Sequence, residues 1–259
     1  MNWQTELHST LSWILTALSF FRLFYEEFTL YQARLNCLYG FMIKLDELDH
    51  SEVHQPMKCS NRVALSNFGI KDDQGRLLLN NLNIELKNGD ALLIQGPSGT
   101  GKTSLLKAMA GIYPFETVGL VEHPCVTSLF LPQRPYMPQG TLREAICYPD
   151  IDPYHPELEK TLADCCLDKY LHSLDVDNDW QAILSPGELQ RVAFIRILLT
   201  KPEVVFLDET TSALDEPTEY LLYKTIKERL PNMIILSVGH RGTLHQFHNK
   251  QLDLAVCIV

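Results

Sequence analysis

Gly96-Pro97-Ser98-Gly99-Thr100-Gly101-Lys102-Thr103 is the stretch of sequence that decides the fold. It follows the apolar run Ala91–Ile94 and opens a segment of helical character that ends at Gly111. Glycines in such a loop let successive backbone N–H groups turn inward around phosphates, and the positive end of the helix dipole faces the same anion. Lys102 would place a charge between the β- and γ-phosphates, and Thr103 would offer a hydroxyl to Mg²⁺. By itself the loop indicates only a nucleotide hydrolase or a kinase.

A second stretch that could contribute to catalysis is Val204–Leu207, which is followed directly by Asp208 and Glu209. Four apolar residues predict a buried strand that delivers two carboxylates at its carboxyl end. There Asp208 can serve magnesium, and Glu209 can polarise a water that attacks the γ-phosphate. Apolar strands followed by acidic residues are common, so this stretch alone leaves a structural and a catalytic interpretation open.

The sequence Leu184-Ser185-Pro186-Gly187-Glu188 predicts the start of a helix that continues to Leu199. Ser185 at the N-cap, Pro186 at the first helical position and Glu188 three residues after the cap form a capping box. A capped helix start is also an anion site. Both interpretations can hold at once.

The order of elements predicts an α/β fold with a parallel core sheet. Short apolar runs at 126–131, 204–207 and 233–238 are separated by helical patterns, which is typical of buried parallel strands. The segments 63–70 and 77–86 flank an Asp-Asp-Gln-Gly turn and predict an antiparallel hairpin. A mostly helical subdomain is expected at about 140–186, with its clearest helix over 156–171.

The first 45 residues predict one long helix. Apolar side chains recur at helical spacing after residue 11, but Arg22, Glu26 and Glu27 interrupt the apolar run well before the roughly 20 residues that a bilayer crossing needs. A packing helix on the following domain and the inner end of a membrane helix remain equally open from periodicity. Residues 46–61 are polar and predict a linker, and the main domain is expected over 62–259.

Composition narrows the class of partner. The formal net charge of -10 does not favour a nucleic-acid partner, which needs a basic face. Hydrophobic residues make up 46% of the 259 residues, enough for a substantial core. Seven cysteines without a C-x-x-C pair suggest reduced thiols rather than a disulfide framework or a zinc site.

Six elements together resemble an ABC-type ATPase domain in order and approximate spacing. They are the phosphate loop, Gln133 in Leu-Pro-Gln-Arg-Pro-Tyr-Met-Pro, Leu-Ser-Pro-Gly-Glu, Asp208-Glu209, Ser212-Ala-Leu-Asp215 and His240. The wording around Gln133 and the Val-Gly-His-Arg sequence are similar to a subgroup of ATP-binding/permease half-transporters. That subgroup includes SbmA/BacA-related bacterial proteins and peroxisomal fatty-acyl half-transporters. The resemblance covers residues 62–259 and extends into 33–41, which is similar to the end of the last membrane helix.

The resemblance implies a role for each matching residue. Glu209 would be the general base, while Gln133 would sense the metal and the attacking water, and His240 would steady the γ-phosphate; Asp215 would communicate across a dimer. Asp208, Thr103 and Gln133 would serve Mg²⁺. The residues implied to bind ATP are Gly96, Pro97, Ser98, Gly99, Thr100, Gly101, Lys102, Thr103 and Ser104, with Ser185 and Gly187 reaching the γ-phosphate held by a second protomer.

The resemblance also implies partners and a location. A second ATPase cassette and a transmembrane permease would place the protein at the cytoplasmic face of the inner membrane, where ATP hydrolysis powers transport. Three departures are visible. Pro186 and Glu188 replace the commoner Gly and Gln of the signature, and no Tyr or Trp stands near Lys71 to stack on adenine. The largest is length: the resemblance implies that most of the family's membrane domain is missing here and that residues 1–45 are a remnant of its last transmembrane helix. The alternatives are a soluble ABC ATPase with a non-transport role and a truncated, non-catalytic nucleotide-binding module.

Overall fold

The computed structural model describes residues 3–50, 57–60, 62–124 and 127–256. The chain divides into two compact units, with the boundary between Val53 and His54. The first unit contains helix α1 (Trp3–His50), which extends five residues beyond the predicted end at residue 45. Among the described residues, no helix carries an apolar stretch of the length that a bilayer crossing requires.

The second unit begins with a sheet of four strands in the order β1-β5-β2-β3. These strands are β1 (Met57–Ser60), β2 (Val63–Lys71), β3 (Leu77–Leu86) and β5 (Thr117–Pro124). The antiparallel pairing of β2 with β3 confirms the predicted hairpin. Strand β1 pairs in parallel with β5 inside the stretch predicted to be a linker, of which residues 51–56 and 61 lie outside the described residues.

A second sheet has five parallel strands in the order β11-β4-β10-β9-β6. The strands are β4 (Ala91–Gln95), β6 (Ser128–Leu131), β9 (Val204–Asp208), β10 (Ile234–Val238) and β11 (Lys250–Asp253). This sheet confirms the predicted parallel core; residue 126 of the first predicted strand lies outside the described residues. Because parallel strands end at one edge, the loops after β4, β6, β9 and β10 all emerge at that edge.

Both faces of the parallel sheet are covered, which explains the continuous apolar runs of its strands. On one face, Leu93, Val205 and Ile235 belong to a core shared with helices α6 (Pro186–Thr200) and α7 (Glu216–Arg229). On the other face, Ile94 and Phe206 belong to a core shared with helix α2 (Lys102–Met109) and the four-stranded sheet. The site at the strand ends therefore rests on two separately packed layers.

The region predicted as a helical subdomain contains three short α-helices and a two-stranded pair. They are α3 (Leu142–Cys147), α4 (Leu158–Asp164), α5 (Trp180–Ile183), β7 (Gly140–Thr141) and β8 (Asp177–Asn178). The prediction of one helix over 156–171 is wrong in its length. The chain leaves α4 through Cys166, whose backbone is left-handed at a φ of 56°, and resumes as a 3₁₀ helix over Asp168–Ser173. This turn lets Cys165 and Leu167 enter the core.

Candidate functional site

The predicted phosphate loop connects the buried strand β4 to the first turn of α2. Gly96, Pro97, Ser98, Gly99, Thr100 and Gly101 form the loop, while Lys102, Thr103 and Ser104 begin the helix. Gly99 and Gly101 have φ values of 81° and 84°, a conformation that side chains with a Cβ rarely adopt. The backbone therefore turns as the sequence pattern requires.

Lys102 is almost fully buried and lies over this loop. Its Nζ donates to the carbonyl oxygens of Gly96 at 2.9 Å and Pro97 at 2.8 Å. The hydroxyl of Thr100 also donates to Pro97 O, at 2.9 Å. The ammonium group is thus held beside the loop, and a triphosphate would offer it stronger, charged acceptors.

Thr103 and Asp208 come from different elements and meet at the strand edge. The hydroxyl of Thr103 donates to Asp208 Oδ1 at 2.9 Å. Burial raises the pKa of Asp208, and the negative charge of Glu209 adds to that effect, whereas the bond from Thr103 opposes it. A hydroxyl and a carboxylate are the hard oxygen donors that Mg²⁺ prefers, so these two residues fit the predicted metal role.

Glu209 is the residue on which two other predicted site residues converge. Gln133 Nε2 donates to Glu209 Oε2 at 3.1 Å, and His240 Nε2 lies 3.6 Å from Glu209 Oε1. The Glu209 side chain is 31% exposed, so water can reach the carboxylate. Its backbone is left-handed with a φ of 49°, a strained conformation for glutamate that is typical of functional positions.

Ser185 and Gly187 form a second group at the start of α6. Glu188 N donates to Ser185 Oγ at 3.3 Å, and Ser185 N donates to Glu188 Oε2 at 2.8 Å, which confirms the predicted capping box. Although burial raises the pKa of Glu188, hydrogen bonds from Lys169, Ser185 and Tyr170 outweigh it and lower the pKa to about 2. No described hydrogen bond connects Ser185 or Gly187 with the phosphate loop.

Gln190 is a residue of this site that the sequence analysis did not single out. It is 3% exposed on α6; its Nε2 donates to Ser212 Oγ at 3.0 Å and its Oε1 accepts from Ala213 N at 2.9 Å. Longer bonds of 3.5 Å reach the carbonyl oxygens of Gln133 and Glu209. A buried amide among apolar helix positions was the available signal, since such a group needs partners.

A tyrosine lies close in space to Lys71, the position near which the sequence has no Tyr or Trp to stack on adenine. Tyr113, which follows α2, donates from its hydroxyl to Lys71 O at 2.6 Å. Burial raises the pKa of Tyr113, while a hydrogen bond with Ser104 opposes the shift. Its ring packs edge-on against Phe115 with centroids 5.5 Å apart. Sequence spacing alone does not predict this approach.

Comparison with known proteins gives consistent matches. A family model described as ABC transporter matches residues 79–212. An uncharacterized ABC transporter ATP-binding protein of Haemophilus influenzae is 77% identical over 98% of this chain and 44% of its own length. The chloroplastic ABC transporter D family member 2 of Arabidopsis thaliana is 38% identical over 70% of this chain and 32% of its own length.

The fold matches solved structures as well. A bacterial Atm1-family ABC exporter with ATP bound superposes with a TM-score of 0.69 and 25% identity, covering 83% of this chain and 41% of that chain. The chain therefore spans less than half the length of these relatives.

Proposed function

This chain belongs to the ABC transporter family, and we propose that it is a nucleotide-binding domain that hydrolyses ATP with Mg²⁺ to power the transport of a substrate across a membrane. The observation that carries this proposal is the convergence of Gln133 and His240 on the Glu209 carboxylate, at the strand edge that also holds the phosphate loop. Loop, metal-ligand oxygens and base lie at one edge, as phosphoryl transfer requires.

The chemistry follows from these residues. Lys102 and the backbone N–H groups of 98–104 bind the phosphates, and Thr103 and Asp208 would hold Mg²⁺, which would neutralise charge on the phosphate oxygens. Glu209 accepts a proton from a water as the water oxygen bonds to the γ-phosphorus and the bond to the bridging oxygen breaks. Gln133 and His240 orient that carboxylate through the contacts described above.

Ser185 and Gly187 make no described hydrogen bond to the phosphate loop of their own chain, and this supports a site completed by a second chain. We propose that two cassettes face each other, so that the capped start of α6 in one meets the triphosphate of the other, with Asp215 beside the contact. A transmembrane permease would then bring the pair to the cytoplasmic face of the inner membrane. Kinship with the D-family relative supports the half-transporter subgroup; the SbmA/BacA link and a membrane origin of residues 1–45 stay predictions.

The test measures the ATPase rate of the chain against its own concentration. We expect specific activity to rise with concentration, because a composite site needs two chains. Glu209→Gln should lower turnover at least about 100-fold while ATP still binds. Lys102→Ala should weaken ATP binding by about tenfold or more, since it removes a charge-assisted contact.

Glu228→Gln is the matched control. This carboxylate is 67% exposed on α7, and its ion pair with Lys224 is long, at 3.9 Å. It should hydrolyse ATP like the parent. A parent that binds ATP but shows no turnover at any concentration would favour a non-catalytic module. A Glu209→Gln variant with parental turnover would refute the base assignment.

A further inference from the structure

The loop Ser212–Leu214, between Glu209 and α7, is held from one side by the start of α6. Gln190 bonds the hydroxyl of Ser212 and the backbone N–H of Ala213. A Cβ on Gly187 would lie 3.0 Å from the carbonyl oxygen of Ala213, so that glycine allows the close approach. The start of α6 is therefore in direct contact with this loop.

Arg241 holds the same loop from the other side. Its Nη1 donates to Leu214 O at 2.6 Å, and its Nη2 donates to Ser212 O at 3.1 Å. The two bonds use the planar fork of the guanidinium, which a lysine ammonium does not reproduce. The backbone on both sides of Ala213 is thus fixed by one side chain.

A buried carboxylate faces Arg241. Glu219 on α7 is fully buried, and its Oε2 accepts a hydrogen bond from the hydroxyl of Thr243. Its Oε1 accepts no hydrogen bond from the described residues and lies 3.9 Å from Arg241 Nη1. A buried carboxylate requires a compensating charge, so Glu219 holds the guanidinium between α7 and the loop.

Arg241 is also joined to His240 by one peptide bond, and His240 Nε2 lies 3.6 Å from the Glu209 carboxylate. We propose that Arg241 is a positioning residue for ATP hydrolysis: by binding the Ser212–Leu214 loop and resting on Glu219, it sets His240 relative to Glu209. This inference rests on the proposed function. On this proposal the Ser212–Leu214 loop and His240 are positioned together, and their position also depends on the contacts of the loop with α6.

Arg241→Lys tests the proposal, because it keeps the charge and loses the paired bonds. We expect kcat to fall about tenfold, since a small misplacement of reacting groups is costly, while the ATP dissociation constant stays within about threefold. Glu219→Gln keeps an acceptor for Thr243 and should lower kcat in the same direction. Glu228→Gln again serves as the control with parental values.

Two readouts separate positioning from mere structural support. In a His240→Ala background, Arg241→Lys should cost less than about threefold in kcat, because both changes disable one unit. Amide hydrogen exchange of peptides covering 212–215 and 238–241 should accelerate together in Arg241→Lys.

Additive losses in the double variant, parental kcat, or exchange unchanged in both peptides would overturn the proposal. Hydrogen exchange does not depend on turnover, so it tests the contact between Arg241 and the loop even in a chain that hydrolyses no ATP. In that case faster exchange would support the coupling of the loop to His240 while the proposed function alone fails.

Discussion

We expect His248 to make the chain lose about 2 kcal/mol of unfolding free energy between about pH 7.5 and pH 5. His248 is 5% exposed; its Nδ1 lies 2.7 Å from Leu244 O and its Nε2 lies 2.9 Å from Ser237 Oγ. A carbonyl only accepts, so Nδ1 carries the proton and Nε2 accepts from Ser237. Ser237 in turn lies 3.2 Å from the hydroxyl of Tyr223.

The magnitude follows from the pKa. Burial lowers the pKa of His248 to about 4; the bond to Leu244 O opposes the shift, and the charges of Lys227 and His245 add to it. The ordinary value of about 6.5 applies in the unfolded chain. Because the folded pKa is the lower one, the contribution of neutral His248 to the free energy of unfolding is complete above about pH 6.5 and declines as the pH falls toward 4. At about pH 5 the free energy of unfolding is lower by about 2 kcal/mol.

Urea unfolding at several pH values measures this loss. His248→Gln removes the titrating group, so its unfolding free energy should change less between about pH 7.5 and pH 5, by about 2 kcal/mol, even though the variant is less stable at neutral pH. Other groups titrate equally in both chains and cancel in the difference. Parallel pH dependences for parent and variant would refute the reasoning.

Two further predictions concern stability. In thermal unfolding, Gly119→Ala should destabilise the fold by about 2 kcal/mol or more, because φ is 85° and the new Cβ would lie 2.4 Å from Asn67 O. Gly75→Ala is the control: its φ is 76° but the space around it is open, so it should cost only about 1 kcal/mol. Arg196→Met should cost about 3 kcal/mol in urea unfolding, since the buried guanidinium donates to three backbone carbonyls, and a loss below about 1 kcal/mol would contradict this account.

Much of the fold could be predicted because local patterns and tertiary structure agree. The phosphate loop, the buried parallel strands and the capping box at Ser185 each have a sequence signature that acts over a few residues. The convergence of Gln133, Glu209 and His240 follows from the parallel sheet, since the strands that precede them end at one edge.

The parts that were missed depend on contacts distant in sequence. Strand β1 pairs with β5, about 60 residues away, so a short polar stretch becomes a strand without a signature of its own. The break after α4 at Cys166 needs neither glycine nor proline, because the core requires Cys165 and Leu167 to turn inward. The contacts of Gln190 and Arg241 with the Ser212–Leu214 loop likewise appear only in three dimensions.

Because the backbone at Glu209 is left-handed, selection for stability and selection for activity favour different residues at this position. Glycine and asparagine adopt that conformation with less strain than glutamate, so either replacement favours the folded backbone while removing the carboxylate. Selection for a stable fold alone thus acts against glutamate here, whereas under the proposed role of Glu209 as the base, selection for turnover acts in its favour. Under that proposed role, one substitution that the backbone accepts would silence the cassette, whereas regaining activity would require returning to a residue that the backbone disfavours.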